Sequence, residues 1–368
     1  MLHGLEGSVR SHYVRGLMAL ARRMGWGAVV LNFRSCSGEP NLLARFYHSG
    51  DTDDLDLIVR LIAEREPQAR IGAVGISLGG NVLLKWLGER GEGAPKQLKG
   101  AVAISTPYDL ERCARVLDRG LAKVTYTASF MRSFKLKLRL KARRFPGLVD
   151  VPVALRARTF EAYDRAVTAP LHGFADERDY WRRASCRPYL ARVRRPTLLI
   201  SAIDDPFVPP DALPEAAELS PSITAEFSAR GGHVGFWEGP IARRWWPRWP
   251  RPWAEHRTME FLSEVMAKGV AAVESEDHLS LPTTFYDLAS PDTSMKCTHC
   301  SRPVVVGETI VMFEGQQFHD SCLRRLLTDE TVRLSRALSR RSRELIEQSR
   351  RRVGGRTSPP LSDTGKAG

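Results

Sequence analysis

Apolar residues in the first two-thirds of this chain fall into short continuous blocks separated by helical stripes. Ala28 to Phe33 (AVVLNF), Ile71 to Gly75, Leu98 to Ile104 and Pro196 to Ile203 (PTLLISAI) are such blocks, the pattern of strands buried on both faces. Between them, Asp51 to Glu66 has acids in its first turn and Leu55, Ile58, Leu61 and Ile62 on one face, which predicts a helix. Leu78 to Glu89 predicts another. Alternation of this kind argues for a mostly parallel sheet flanked by helices. Tyr108 to Arg195 breaks the rhythm and reads as a helical, basic insertion. Strand signal resumes near Thr224 to Ser228, and Trp253 to Lys268 predicts a closing helix. The Trp/Pro/Arg-rich stretch before it, Trp245 to Trp253, reads as a loop packed on the body.

This pattern divides the chain into an α/β domain over 1–270, interrupted at about 108–195, and a polar, Pro-containing linker over 271–294. A cysteine module at 295–326, a basic helix at 327–352 and a disordered tail at 353–368 complete the expected layout.

The chemistry sits on the ends of the predicted strands. Gly75-Ile-Ser77-Leu-Gly79 has the G-x-S-x-G form, with an apolar strand before it and a helix after it. A serine on that sharp turn projects its hydroxyl above the sheet, and the flanking glycines relieve the crowding. A catalytic triad then needs an acid and a histidine, in that chain order. Asp204 and Asp205 follow the strand PTLLISAI. Asp205, followed by Pro206-Phe207-Val208-Pro209, is the better placed of the two, and Asp204 stays open as the alternative. His233 lies in Gly231-Gly-His-Val-Gly235, after the last strand. In this reading Ser77 is the nucleophile, His233 the proton shuttle and Asp205 the group that holds the ring. His3-Gly4-Leu5-Glu6-Gly7 has the form of a loop that offers a backbone N–H to developing charge, so Leu5 and Leu78 are the expected oxyanion donors.

Six ordered motifs, HGLEGSVRSHYVRGL, FRSCSGEPN, YHSGDTDD, GISLGGN, AIDDPFVP and GGHVGF, together resemble the YheT-like branch of the α/β-hydrolases over roughly Leu2 to Lys268. The resemblance implies the α/β-hydrolase fold, an esterase or lipase-like activity on short- to medium-chain acyl esters or lipids, and a cap formed by Tyr108 to Arg195. It carries over Ser77, His233 and the Asp204-Asp205 pair, without choosing between the two acids. In that fold a central strand leads into the oxyanion loop. Here the loop begins at residue 3, so a sheet lacking its N-terminal strands is expected, with a gap beside Ala28 to Phe33.

The six cysteines divide into two groups. Cys36, Cys113 and Cys186 are scattered and read as reduced thiols. Cys297-x2-Cys300-x18-His319-x2-Cys322 has metal-ligand spacing, and four such ligands close a tetrahedral, structural zinc site. With the hairpin-like VVVGETIVMFEGQQF between its ligand pairs, the module resembles the first half of a LIM domain. It would recruit a protein partner or staple the C-terminus.

Net charge adds a question rather than an answer. The chain carries +13, concentrated in two places. Ser321 to Arg352 holds ten Arg against four acids, and Lys123 to Arg144 holds eight Lys or Arg and no acid. The second stretch, with Lys135, Lys137 and Lys141, could draw the cap to anionic headgroups, while both also fit solvated helix faces. Nucleic acid is disfavoured, because the C-terminal basic segment lacks interleaved aromatics. No run of eighteen apolar residues and no secretory signal is read, so a cytoplasmic protein with peripheral membrane contact is expected. The competing expectation is a catalytically inactive, hydrolase-derived binding protein.

Overall fold

The computed structural model describes residues 1–238, 251–274, 310–313 and 316–319. The chain forms two compact units, Met1–His278 and Leu279–Gly368.

The first unit is built on a parallel sheet in the order β1 (Ile71–Ile76), β2 (Leu98–Ile104), β3 (Thr197–Ala202) and β4 (Ile223–Ser228). Side chains alternate across it, as a strand's period of two requires. Val74, Ile76, Val102, Ile104, Leu198 and Ile200 pack on one face with α1 (His12–Arg23) and the closing helix Trp253–Glu274. The opposite face carries Ala73, Ala101 and Ala103 beside the larger Leu199. It receives α2 (Asp53–Arg65) and α3 (Leu78–Arg90), the latter buried from Leu78 to Gly88. An all-round apolar helix of this kind has to lie in the core. Asn81 is its one amide. It donates to the carbonyls of Ser49 (2.7 Å) and Ala184 (2.8 Å) and accepts from the Cys186 N–H (2.8 Å), joining three distant segments. Each group left unpaired there would cost about 1–3 kcal/mol.

Two expectations are corrected. Ala28 to Phe33 does not form a strand, and α1, which the apolar blocks did not announce, precedes it. Leu2 lies between Leu31 and Gly75 and bridges both in parallel, with its N–H on Val74 O at 2.8 Å and its carbonyl accepting from Ile76 at 3.1 Å. The gap expected beside Ala28 to Phe33 is therefore bridged only at Leu2, next to the loop at residues 3–7. Only one rung forms there, and farther back Val29 is 52% exposed. A ladder needs a partner along its whole length, and among the described residues only Met1 and Leu2 run beside this segment.

Between β2 and β3 the chain is helical, as expected. The segments Leu110–Leu117, Ala128–Arg144, Phe160–Tyr163 and Glu177–Ala184 enclose their own core of Leu110, Met131, Leu138, Phe160, Tyr163 and Trp181. Two of the cap's three expected headgroup lysines point inward. Lys141 is 2% exposed and donates to the carbonyls of Asn41 and Leu43. Lys137 pairs with Glu6 at 2.7 Å.

The closing helix runs to Glu274, past the expected boundary at 270. Most of Trp245 to Trp253, the rest of the linker, the basic helix and the tail lie outside the described residues. No helix among the described residues is long and apolar enough to cross a membrane. In the second unit Ile310–Phe313 pairs antiparallel with Gln316–His319. Cys297, Cys300 and Cys322 lie outside the described residues. Cys36, Cys113 and Cys186 are free and buried.

Candidate active site

Ser77 occupies the turn between β1 and α3 with φ +54° and ψ −122°. A non-glycine residue there stores about 1–3 kcal/mol of strain, which neighbouring contacts must hold. The Ser77 N–H donates to Ile104 O at 2.7 Å, and the Ser77 carbonyl accepts from Gly80 at 2.8 Å. Strand and helix cross so closely that a Cβ on Gly75 would sit 2.4 Å from Gly79 O, and one on Gly79 2.7 Å from His3 O. Both glycines of the motif are required by approach, whatever their dihedral angles.

The loop bearing His233 is fixed from two sides. Its N–H groups at Gly231 and Gly232 both donate to Asp204 Oδ1 at 2.8 Å, and Val234 N–H donates to Ser105 Oγ at 3.1 Å. This places His233 Nε2 3.0 Å from Ser77 Oγ and Nδ1 2.8 Å from Asp205 Oδ2. A carboxylate only accepts, so Nδ1 carries the proton and Nε2 offers its lone pair to the serine hydroxyl. The Asp205 side chain is fully buried. Its Oδ1 accepts from Phe207 N–H at 2.8 Å and Val208 N–H at 3.3 Å. The two adjacent acids thus have separate jobs: Asp205 meets the imidazole, and Asp204 anchors the loop that carries it. The Phe207 ring stacks on the imidazole at 4.2 Å and 15°, fixing the ring plane.

The loop at residues 3–7 passes directly over Ser77, since a Cβ on Gly4 would lie 3.2 Å from Ser77 Cβ. His3 is buried, and burial lowers its pKa. Its Nε2 accepts from Phe33 N–H at 3.1 Å, so Nδ1 donates to Gly4 O at 2.8 Å. Gly7 N–H also reaches that carbonyl, at 2.9 Å. Because the peptide is trans, the Leu5 N–H points the opposite way. Among the described residues it has no partner, and neither does the Leu78 N–H at the start of α3. Glu6 locks the same loop to the cap. Its carboxylate accepts from Tyr47 O–H (2.9 Å), Lys137 Nζ (2.7 Å) and Ser133 Oγ.

Ser77 and His233 open into a cavity of about 300 Å³. Leu110, Leu117, Phe130, Phe134, Val167 and Leu171 give it apolar walls. Sequence reasoning missed Tyr13, Phe207 and the Glu6 cluster. Tyr13 O–H accepts from Gly4 N–H at 3.0 Å, and such partners are separated in sequence by anything from nine to 131 residues, with no local signal joining them. Among the described residues no group of three or more His, Cys, Asp or Glu is placed to hold a metal.

Comparison with known proteins gives the family. Residues 1–240 match the family described as alpha/beta hydrolase fold. The chain is 37% identical over 265 residues to "Putative esterase YheT" of Escherichia coli (strain K12), covering 72% of this chain and 75% of that protein. It is 29% identical over 249 residues to "Phospholipase ABHD3" of Homo sapiens, covering 67% and 59%. It is 26% identical over 256 residues to "Monoacylglycerol lipase" of Saccharomyces cerevisiae, covering 67% and 56%. Of these last two it therefore spans well under two-thirds.

Proposed function

The chain belongs to the α/β hydrolase fold family, and from that premise we propose that it hydrolyses carboxylic esters through Ser77, His233 and Asp205. The observation that carries this reading is the unbroken hydrogen-bonded path from Ser77 Oγ through His233 to Asp205, opening into an apolar cavity. Ser77 Oγ attacks the acyl carbon while His233 Nε2 takes its proton. The resulting oxyanion lies against the Leu5 and Leu78 N–H groups, which need no rearrangement to receive it. Collapse breaks the ester C–O bond, and the alcohol leaves with the proton held by His233. Water then attacks the acyl-enzyme with His233 as base, releasing the acid and restoring the Ser77 hydroxyl. Asp205 fixes the tautomer throughout and stabilises the imidazolium.

Short- to medium-chain acyl esters or lipids suit the cavity. Its walls of Leu110, Leu117, Phe130, Phe134, Val167 and Leu171 offer hydrocarbon to an acyl chain, whose transfer out of water is favourable. The test is labelling by a fluorophosphonate probe, which reacts with activated serines. The intact chain is expected to label, and Ser77→Ala is expected not to. Absence of labelling in the intact chain would instead favour a hydrolase-derived binding protein.

For the C-terminal segment we propose a structural zinc on Cys297, Cys300, His319 and Cys322. Ligand spacing supports it, as does the antiparallel pairing of Ile310–Phe313 with Gln316–His319, which ends on the His319 ligand. Four protein ligands leave no open position, so its role would be to hold a surface for a protein partner. Atomic absorption is expected to find about one zinc per chain, lost in Cys297→Ser. Zinc-free intact protein would end this reading.

A further inference from the structure

The cavity beside Ser77 has one wall that its apolar lining does not explain. A continuous helical run from Phe160 to His172, with a π turn at Asp164–Thr168, faces it. Tyr163, Val167 and Leu171 form the expected apolar stripe. Beside it Asp164, Thr168 and His172, spaced by four, also line the cavity. Extra-residue turns of this kind are frequent at functional sites.

Asp164 is the anomaly. It is 7% exposed, and burial raises its pKa from 3.8 to about 7. It has no Lys or Arg partner among the described residues. Thr168 Oγ1 donates to one carboxyl oxygen at 2.6 Å and Trp181 Nε1 to the other at 2.9 Å, which leaves each oxygen a further lone pair. A half-satisfied carboxyl in an apolar pocket is unfavourable for the fold alone. His172 adds unused capacity. Its ring lies edge-on to His48 at 4.6 Å, and it makes no hydrogen bond among the described residues. Both imidazoles are held neutral, chiefly by burial.

We propose that Asp164, Thr168 and His172 form a polar subsite within the substrate pocket that takes a hydroxyl group carried by the ester. This rests on the hydrolase reading and names its substrate class: hydroxylated esters in preference to plain hydrocarbon ones. A hydroxyl fits where other polar groups do not. It donates to an ionised Asp164 and accepts from a protonated one. A carboxylate would be repelled by the former. A substrate ammonium would be charge-paired only by the ionised form, whereas a hydroxyl is served by both. The hydroxyl could reside on the acyl chain or on the alcohol, and the two give the same contacts here.

The experiment compares esters matched in length in two arms. One pairs acyl chains with and without a hydroxyl at successive positions. The other pairs monoesters of diols with esters of the simple alcohols. Wild-type kcat/KM is expected to favour the hydroxylated member in one arm by at least about tenfold, because a site built to bond a hydroxyl discriminates against its absence. In Asp164→Leu that ratio is expected to fall towards unity, whichever way the plain-ester rate moves. Thr168→Val, a smaller change should Asp164→Leu fail to fold, is expected to lower the ratio in the same direction. Equal handling of both members in both arms, or a preference untouched by either substitution, overturns the proposal. If no ester is turned over and no fluorophosphonate is taken up, the hydrolase reading has failed instead. Calorimetric binding of the same matched esters to Ser77→Ala then decides the subsite. Tighter binding of the hydroxylated member, weakened by Thr168→Val, supports it, and equal binding overturns it.

Discussion

Ser77→Ala is expected to lower ester turnover by on the order of 10⁵-fold or more, and His233→Ala to do nearly the same. The double variant should be scarcely worse than either alone. In the proposed mechanism nucleophile and base act as a unit, so once one is gone the other has nothing left to do. The residual rate would come from the Leu5 and Leu78 N–H groups and from the pocket. Folding is a clean control for this pair of experiments. Alanine at position 77 inherits the same φ of +54° and loses one oxygen whose only side-chain hydrogen bond among the described residues is to His233. Its melting temperature should stay within a few degrees of wild type. Steady-state hydrolysis of a p-nitrophenyl ester measures the effect. A Ser77→Ala protein retaining a tenth of wild-type turnover would remove Ser77 from the mechanism.

What could be read in advance was whatever is written locally. β1, β2 and β3 are buried on both faces over most of their length, so they appear as largely apolar runs, and the glycines around Ser77 mark a crossing too close for a Cβ. Pairings across long separations left no such mark. The AVVLNF block has the composition of a strand, yet whether it becomes one depends on a neighbour along its full length, and composition does not specify that. The basic run in the cap suggested an outward face. Nothing local says that Lys137 finds Glu6 131 residues away, or that Lys141 is spent on the carbonyls of Asn41 and Leu43. The polar stripe on Asp164, Thr168 and His172 was hidden for a related reason. Amid a basic, helical insertion these three side chains read as facing solvent until the fold turns them towards the cavity.

Asp204 and Asp205 were the hardest pair to separate, being chemically identical and adjacent, and the same amide substitution at each should now give opposite results. Asp205→Asn is expected to reduce kcat by about 10⁴-fold. Its Oδ1 is pinned by the Phe207 and Val208 N–H groups, so the asparagine oxygen must stay there. The new NH₂ then replaces Oδ2 and faces His233 Nδ1, where the wild type has a contact of 2.8 Å. An NH₂ donates, so Nδ1 becomes the acceptor and the ring proton moves to Nε2. Nε2 can then no longer take the proton of Ser77. Asp204→Asn keeps an acceptor oxygen for Gly231 and Gly232, so its kcat should fall by less than about tenfold, whereas Asp204→Ala, which lets the loop shift, should lose up to about 10²-fold. Comparing the two asparagine variants under saturating ester is enough. A large loss at Asp204 with little at Asp205 would exchange their roles, and the loop contact would have to be reread as the orienting one.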